Sequence, residues 1–247
     1  MRTRSGARRP DTVMASSAVL FSGGLDSAVL LARELVHVDD VWPVYVRSGL
    51  AWEPAEARAI HGLLAGPPFA GRTKPVTTLT VDMRDIYPPT HWAVVGRPPA
   101  YDTPDEDVYL EGRNIVLIAQ AAVLCARLNA GRLVLGPLAG NPFPDATQEF
   151  FSAMAAAMSL GLGRSLDITA PLSELHKEDV VRMGIELGVP LVRTLSCMRP
   201  TDDRHCGLCS KCRERQDAFR AAGVDDPTSY AAVWSKENER VAKLPRS

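Results

Sequence analysis

The fold is indicated first by residues 18–27, AVLFSGGLDS, in which an apolar run passes directly into a glycine-rich turn. The four apolar residues that open this stretch predict a short strand covered on both faces. Gly23 and Gly24 allow a sharp turn and a close approach of the backbone to a ligand. Helical sequence follows at 28–36. A strand, a glycine-rich turn and a helix in this order predict an anion site at the start of the helix.

The alternation of strand and helix continues along the chain. Strands are predicted at 41–46, 76–81, 132–135 and 166–169, and helices at 53–64, 114–129, 148–160 and 177–187. Residues 85–107 and 136–147 are rich in proline or glycine and are predicted to be loops. This pattern predicts an α/β fold with an open, mostly parallel twisted sheet and helices on both faces. The loops after the first and fourth strands then lie at the carboxyl edge, where such sheets bind ligands.

Composition excludes two broad classes of protein. Among 247 residues, 28 are Lys or Arg and 29 are Asp or Glu, so a net charge of −1 argues against a globally basic nucleic-acid binder. The apolar runs are too short for a transmembrane helix. Residues 1–17 are basic but no apolar segment follows them directly, so we expect a disordered tail, no signal peptide and a cytoplasmic protein.

Four of the five cysteines lie close together near the C-terminus: Cys197, Cys206, Cys209 and Cys212. Their spacing favours a metal site in a reducing compartment over a set of disulfides. Four thiolates can close a tetrahedral structural zinc site. An iron–sulfur cluster is the alternative, because C-x-x-C-x-x-C also binds such clusters. Cys125 stands alone in an apolar segment and is expected to be a core residue.

The turn at 22–27, SGGLDS, resembles the pyrophosphate loop of the N-type ATP pyrophosphatase (PP-loop) superfamily. It lacks the Gly-Lys-Ser/Thr of a Walker loop, which disfavours a kinase or GTPase of that type. The resemblance implies an adenine nucleotide alpha hydrolase-like, Rossmann-like fold. It also implies transfer of AMP from ATP to a substrate oxygen with release of pyrophosphate. The residues implied to contact ATP here are Ser22, Gly23, Gly24, Leu25, Asp26 and Ser27.

Five further stretches, taken together, resemble the 7-cyano-7-deazaguanine synthase (QueC) family. They are Thr194–Cys197, Cys206–Arg215, Glu111–Asn114, Ala170–Glu178 and Pro144–Asp145. The resemblance runs from about Val19 to Arg215, and it favours zinc over an iron–sulfur cluster. Each short piece alone is a weak signal, and the set is specific.

The resemblance implies an ATP-dependent C–N ligase of queuosine or deazapurine biosynthesis. Such an enzyme converts 7-carboxy-7-deazaguanine and ammonia to 7-cyano-7-deazaguanine through an adenylated carboxylate and an adenylated amide. The implied cofactors are ATP, Mg²⁺ and structural Zn²⁺. Asp26, Arg113 and Lys177 are the implied catalytic residues, and Gly112 and Asn114 join them in the ATP site. A homodimer without direct contact to nucleic acid is also implied.

The resemblance further implies three regions. Residues 1–17 form the tail, residues 18–195 the ATP-binding α/β domain, and residues 196–247 a zinc-binding segment with a helical tail packed on the same domain.

The sequence departs from the family near the expected substrate. Where the family has Tyr-Pro-Asp-Cys-Arg, this chain has Phe143-Pro-Asp145-Ala-Thr147. The implied substrate contacts are Arg47, Phe143 and Asp145. The altered loop favours a second hypothesis, a ligase that stops at the amide or joins the carboxylate to another amine, including one on a protein. A third hypothesis is a non-catalytic nucleotide-binding or RNA-binding zinc protein.

Overall fold

The computed structural model describes residues 16–235 and contains a five-stranded sheet in which all neighbouring strands run parallel. The strands are β1 (Ser16–Leu20), β2 (Asp40–Arg47), β3 (Thr77–Thr80), β4 (Arg132–Val134) and β5 (Asp167–Thr169), in the order β3-β2-β1-β4-β5. The chain proceeds from β1 to β3 in one direction and then places β4 on the other side of β1. The connections after β1 and β4 therefore diverge and leave a crevice between them. The predicted parallel α/β class is confirmed.

Helices cover both faces of the sheet. In chain order they are α1 (Leu25–His37), α2 (Glu53–Leu64), α3 (Trp92–Val95), α4 (Arg113–Leu128), α5 (Gln148–Leu162), α6 (Lys177–Glu186) and α7 (Ser210–Ala222). Helices α1, α2, α6 and α7 contribute to the core on one face. Helices α4 and α5 contribute to the core on the other face, where Cys125 is fully buried. Burial of a few hydrophobic side chains per helix, each contributing about 1.5–3 kcal/mol, holds these layers together.

The first strand begins earlier than the sequence predicts. Ser16 and Ser17, which we assigned to the N-terminal tail, are the first two residues of β1. Ser17 is fully buried, and its hydroxyl donates to the buried carboxylate of Glu34 at 3.4 Å. That bond satisfies the hydroxyl, so Ser17 can be buried within β1 although it is polar. The apolar pattern of the sequence alone therefore could not show where β1 begins. Residues 1–15 of the predicted tail lie outside the described part of the chain.

Two other segments are more regular than expected. The predicted loop at 85–107 contains α3 and the start of a short 3₁₀ turn (Asp105–Val108). Ala93 of α3 is fully buried, so this loop is packed on the domain. The predicted helical tail contains the 13-residue helix α7, which buries Arg215, Ala218 and Phe219 on one side. Its polar sequence conceals this amphipathic pattern, because one of the buried side chains is an arginine.

A third apolar cluster lies beyond the carboxyl edge of the sheet. It joins the segment after β2, the 83–110 region and the four clustered cysteines, with Leu50, Met83 and Leu195 among its buried members. This cluster anchors the loops that surround the crevice. None of the helices in the described ranges is long and apolar enough to span a lipid bilayer.

Candidate active site

A cavity of about 430 Å³ opens at the carboxyl ends of β1 and β4. Its walls include most of the turn after β1 and residues 135–143 after β4. A volume of this size suits a small-molecule site, and its position is the switch point of the sheet. Both loops that the sequence placed at the functional edge therefore line the same cavity.

The turn after β1 is held in shape by its own hydroxyl groups. Ser27 Oγ accepts from Ser22 N at 3.3 Å and donates to Gly24 O at 3.0 Å. Gly24 is the N-cap of α1 and provides no side-chain cap, which leaves amides in the first turn available to a ligand. Gly23 has a φ of +75°, a conformation that favours glycine. The turn thus presents backbone donors and the positive end of the α1 dipole to the cavity.

Lys177 and Asp26, two residues predicted separately, meet at the cavity. Lys177 Nζ donates to Asp26 Oδ2 at 2.6 Å, although 151 positions separate them in the chain. The same ammonium group lies 2.8 Å from Glu214 Oε1. Burial by itself lowers the pKa of Lys177, but attraction to Asp26 and Glu214 outweighs this effect and holds the pKa well above its ordinary value. The lysine is therefore a fixed cation at neutral pH.

Sequence reasoning missed two charged residues of this network, Lys211 and Glu214. They lie in the first turns of α7, and Lys211 Nζ donates to Glu214 Oε2 at 2.6 Å. Burial raises the pKa of Glu214, but Lys177 and Lys211 outweigh it and lower the pKa to about 2. The sequence signal was an i, i+3 charge pair on either side of the metal-ligand candidate Cys212. Such a pair by itself indicates only an exposed helix surface.

Arg113, Asn114 and Asp145 lie together where α4 begins, and all three line the cavity. The carboxylate of Asp145 accepts from Asn114 N at 3.1 Å and from Asn114 Nδ2 at 3.2 Å. Asp145 thereby caps α4 from a distant loop, and burial raises its pKa despite these bonds. Arg113 Nε is buried and has no hydrogen-bond partner among the described residues. An unsatisfied guanidinium N–H at a cavity wall is suited to an anionic ligand.

A buried tyrosine–glutamate pair, which the sequence did not identify, also lines the cavity. Tyr45 of β2 donates its hydroxyl proton to Glu56 Oε2 of α2 at 2.8 Å. Burial raises the pKa of Glu56 to about 7, and Arg113 and Tyr45 partly oppose that shift. No motif marks these residues, because they are brought together only when α2 packs beside β2.

Two stacked aromatic pairs form flat apolar parts of the wall. The rings of Tyr109 and Phe143 lie 5.1 Å apart, and those of Trp52 and Trp92 lie 5.8 Å apart. All four side chains line the cavity. Such surfaces are suited to planar ring ligands.

Three residues predicted to contact ATP or the substrate are not among those that line the cavity: Gly23, Gly112 and Arg47. The two glycines act through the backbone, since both have positive φ and shape the starts of α1 and α4. The Arg47 side chain is 55% exposed, and its Nε lies 3.6 Å from Glu53 Oε2. The structure therefore does not bring Arg47 to the cavity wall.

The four clustered cysteines are buried with their sulfur atoms within 4.8 Å of one another. The Sγ separations include 4.0 Å for Cys197 and Cys209 and 3.8 Å for Cys206 and Cys212. A tetrahedral ion with metal–sulfur bonds of about 2.3 Å places its ligands about 3.8 Å apart. The backbone N–H of Arg199 donates to Cys197 Sγ at 3.3 Å. The cluster could therefore hold a metal ion.

Comparison with protein families gives a match to the family described as "Queuosine biosynthesis protein QueC", over residues 16–223. A 7-cyano-7-deazaguanine synthase from Methanopyrus kandleri is 35% identical over 233 residues, covering 88% of this chain and 99% of that protein. Proteins of the same name from Caldicellulosiruptor bescii and Xanthomonas oryzae are 31% and 32% identical, covering 87% and 89% of this chain and 96% and 100% of their own lengths.

Solved structures give weaker similarities. One is a 4-thiouridine synthetase in complex with RNA and bound ATP, at 17% identity and a TM-score of 0.45, covering 85% of this chain and 51% of that one. Another is an NMN synthetase from Francisella tularensis, at 14% identity and a TM-score of 0.47, covering 87% of this chain and 79% of that one. The family match over 16–223 and the identities over nearly the full length of the relatives show that the chain belongs to the QueC family.

Proposed function

We propose that the chain is an ATP-dependent ligase that makes 7-cyano-7-deazaguanine from 7-carboxy-7-deazaguanine and ammonia, in queuosine or deazapurine biosynthesis. The observation that carries the proposal is the convergence of the 22–27 turn, Lys177 and Arg113 at one cavity. Fixed backbone donors and two cations are complementary to the charge that develops as pyrophosphate leaves ATP. The named relatives, which match most of this chain, support the substrate assignment.

In the proposed reaction, the substrate carboxylate attacks the α-phosphorus of ATP and pyrophosphate leaves. The 22–27 turn binds the phosphates, and Lys177 and Arg113 stabilise the departing negative charge. Ammonia then attacks the acyl carbon and displaces AMP, which gives the amide. The amide oxygen attacks a second ATP and pyrophosphate leaves again. Loss of AMP and of both amide protons gives the nitrile.

The metal assignments are part of the proposal. Asp26 Oδ1 is buried and has no hydrogen-bond partner among the described residues, so Asp26 would hold Mg²⁺, which would supply positive charge at the phosphate site. Carboxylate oxygen is a ligand type that Mg²⁺ prefers. Cys197, Cys206, Cys209 and Cys212 would hold Zn²⁺, which supplies a closed structural site that fixes the segment on the domain.

The planar base is proposed to bind against the rings of Tyr109 and Phe143, in the same cavity that the carboxylate of Asp145 lines. We further propose that residues 18–195 form the ATP-binding domain and residues 196–247 the zinc-binding segment and helical tail. A cytoplasmic homodimer that does not bind nucleic acid directly completes the proposal.

The test is to incubate zinc-loaded protein with ATP, Mg²⁺, ammonium and 7-carboxy-7-deazaguanine, and to follow the base and nucleotides by mass spectrometry. We expect the 7-cyano base with AMP and pyrophosphate, lost in Asp26→Ala and Lys177→Ala. Lys74→Ala is the matched control, because Lys74 pairs with Asp40 at the opposite edge of the sheet. Absence of ATP consumption with the wild-type protein would refute the proposal and leave the non-catalytic hypothesis.

The second candidate is a ligase that stops at the amide or joins the carboxylate to another amine. The observation that favours it is the rebuilt 143–147 loop, in which Phe143 has no hydroxyl and the carboxylate of Asp145 is bonded to Asn114. Accumulation of the amide without nitrile in the same assay would select this candidate.

A further inference from the structure

Four charged side chains of alternating sign form a row along one wall of the cavity: Asp26, Lys177, Glu214 and Lys211. Successive members are 2.6, 2.8 and 2.6 Å apart, measured between their closest nitrogen and oxygen atoms. The four side chains are only 15–27% exposed. The row has no net charge, and half of it comes from the α/β domain and half from α7.

The position of α7 is set by the cysteine cluster. The helix begins at Ser210, directly after Cys209, and contains Cys212 in its first turn. Lys211 and Glu214 lie on either side of Cys212 in sequence, so the cluster fixes the backbone that carries them. The same helix carries a second i, i+3 ion pair.

The second ion pair of α7, Asp217 with Arg220, can be compared with the pair Lys211–Glu214. Its side chains are 51% and 74% exposed, and neither lines the cavity. That pair is an ordinary surface ion pair, which solvent screens. Glu214 differs because both of its carboxylate oxygens contact ammonium groups, and one of these belongs to another helix. Through Lys177, Glu214 therefore links α7 to the first residue of α6 at the cavity wall.

We infer that Glu214 is a positioning residue that holds the Lys177 ammonium group at the phosphate site, and that Lys211 is a further cation of that site. The inference rests on the proposed ATP-dependent function. Asp26 is the only other carboxylate within 4.0 Å of Lys177 among the described residues, and its Oδ1 is unpartnered. Were Asp26 to hold a metal ion, Glu214 would be the carboxylate that keeps Lys177 in place. Lys211 balances the charge of Glu214, so that the anchor does not repel phosphate.

The experiment compares Glu214→Gln with the matched control Asp217→Asn on the same helix. The first readout is acetylation of Lys177 by limiting acetic anhydride, measured by peptide mass spectrometry in the full-length, metal-loaded protein with Lys74 as internal reference. We expect Lys177 to be labelled several-fold faster in Glu214→Gln and at an unchanged rate in Asp217→Asn. Mg·ATP should protect Lys177 in the wild-type protein.

The second readout is the rate of AMP formation. We expect Glu214→Gln to lower kcat by about tenfold to a hundredfold, the range for a displaced catalytic group, with a smaller change in KM for ATP. Glu214→Asp should recover part of the rate, and Lys211→Met should raise KM for ATP. A metal content equal to that of the wild-type protein shows that the cluster is intact. If Glu214→Gln does not fold, Glu214→Asp and Lys211→Met are used for the same two measurements.

Unchanged labelling and unchanged kcat in Glu214→Gln, or equal effects of Asp217→Asn, would overturn the inference. Failure of the proposed function has a different signature. A wild-type protein that makes no nitrile, but binds Mg·ATP and shows Glu214-dependent labelling of Lys177, would refute the substrate assignment and retain the positioning role.

Discussion

The buried carboxyl group of Glu56 predicts how stability depends on pH, and Glu56→Gln isolates its effect. Burial raises the pKa of Glu56 from its ordinary value of 4.5 to about 7. Arg113 and the hydroxyl of Tyr45 oppose this shift, and Glu53 adds to it. Glutamine has nearly the same shape, and its carbonyl oxygen can still accept from the Tyr45 hydroxyl. The substitution therefore removes the ionisable group while keeping the contact.

The direction and size of the pH effect on the free energy of unfolding follow from the linkage between protonation and folding. The folded state binds the Glu56 proton more tightly than the unfolded chain, so this contribution is complete below pH 4.5 and is lost as the pH rises through about 7. Each pKa unit corresponds to about 1.4 kcal/mol, so the loss between pH 5 and pH 8 is about 2–3 kcal/mol. Glu56 is 7% exposed, so solvent screens this effect little.

The assay is urea unfolding followed by circular dichroism at pH 5 and pH 8. We expect the free energy of unfolding of wild-type protein to fall by about 2–3 kcal/mol more than that of Glu56→Gln over this interval. Glu186→Gln is the control, because Glu186 is an exposed carboxylate at the end of α6. An equal pH dependence in the wild-type and Glu56→Gln proteins would show that the Glu56 carboxyl group is solvated or already ionised, and would refute the reasoning.

Three further predictions concern the cavity, the cysteine cluster and the buried arginine. Arg113→Met should lower kcat/KM for ATP by about a hundredfold in an AMP-formation assay, because the guanidinium of Arg113, whose Nε is buried and unpartnered among the described residues, is a cation of the cavity. A change below threefold would remove Arg113 from the site. Cys209→Ser should lose the bound metal and lower the free energy of unfolding by more than about 2 kcal/mol. The control Cys125→Ser, at a buried cysteine outside the cluster, should keep the full metal content of the protein. Elemental analysis and thermal unfolding measure the two effects, and full metal content in Cys209→Ser would contradict the proposed site. Arg215→Met should lower the free energy of unfolding in urea by about 3 kcal/mol, because the fully buried guanidinium donates to the carbonyl oxygen of residue 191 at 2.7 Å and to the hydroxyl of residue 194 at 2.9 Å. Arg220→Met, at an exposed site, should change it by less than about 0.5 kcal/mol. Equal changes in the two variants would argue against a structural role for Arg215.

The sequence was most informative where function depends on local backbone geometry. The 22–27 turn was recognisable because a glycine-rich turn between a strand and a helix needs particular residues within six positions. Helix α2 was predicted with the bounds that the structure has, because a proline in its first turn and a regular apolar spacing mark it. The four cysteines were recognisable because a tetrahedral metal site needs ligands at close, regular spacing along the chain.

Predictions failed or were absent where a residue's role depends on a distant partner. Ser17 looked like part of a tail until Glu34 supplied its hydrogen bond. A helical tail was predicted, but the polar sequence of α7 concealed the buried face of the helix, which includes an arginine. Neither feature changes the apolar pattern from which strands and helices are predicted.

What the sequence determined by itself is the parallel α/β class, the glycine-rich turn at 22–27 and the presence of the cysteine cluster, because each is encoded in residues close together along the chain. What only the tertiary structure decided is which charges share the cavity. The order β3-β2-β1-β4-β5 places the ends of β1 and β4 side by side, and it brings Lys177 to Asp26 across 151 positions. The packing of α7 then adds Glu214 to the same row. Electrostatic interactions act over a few ångströms in space, and the spacing of residues along a chain does not encode those distances.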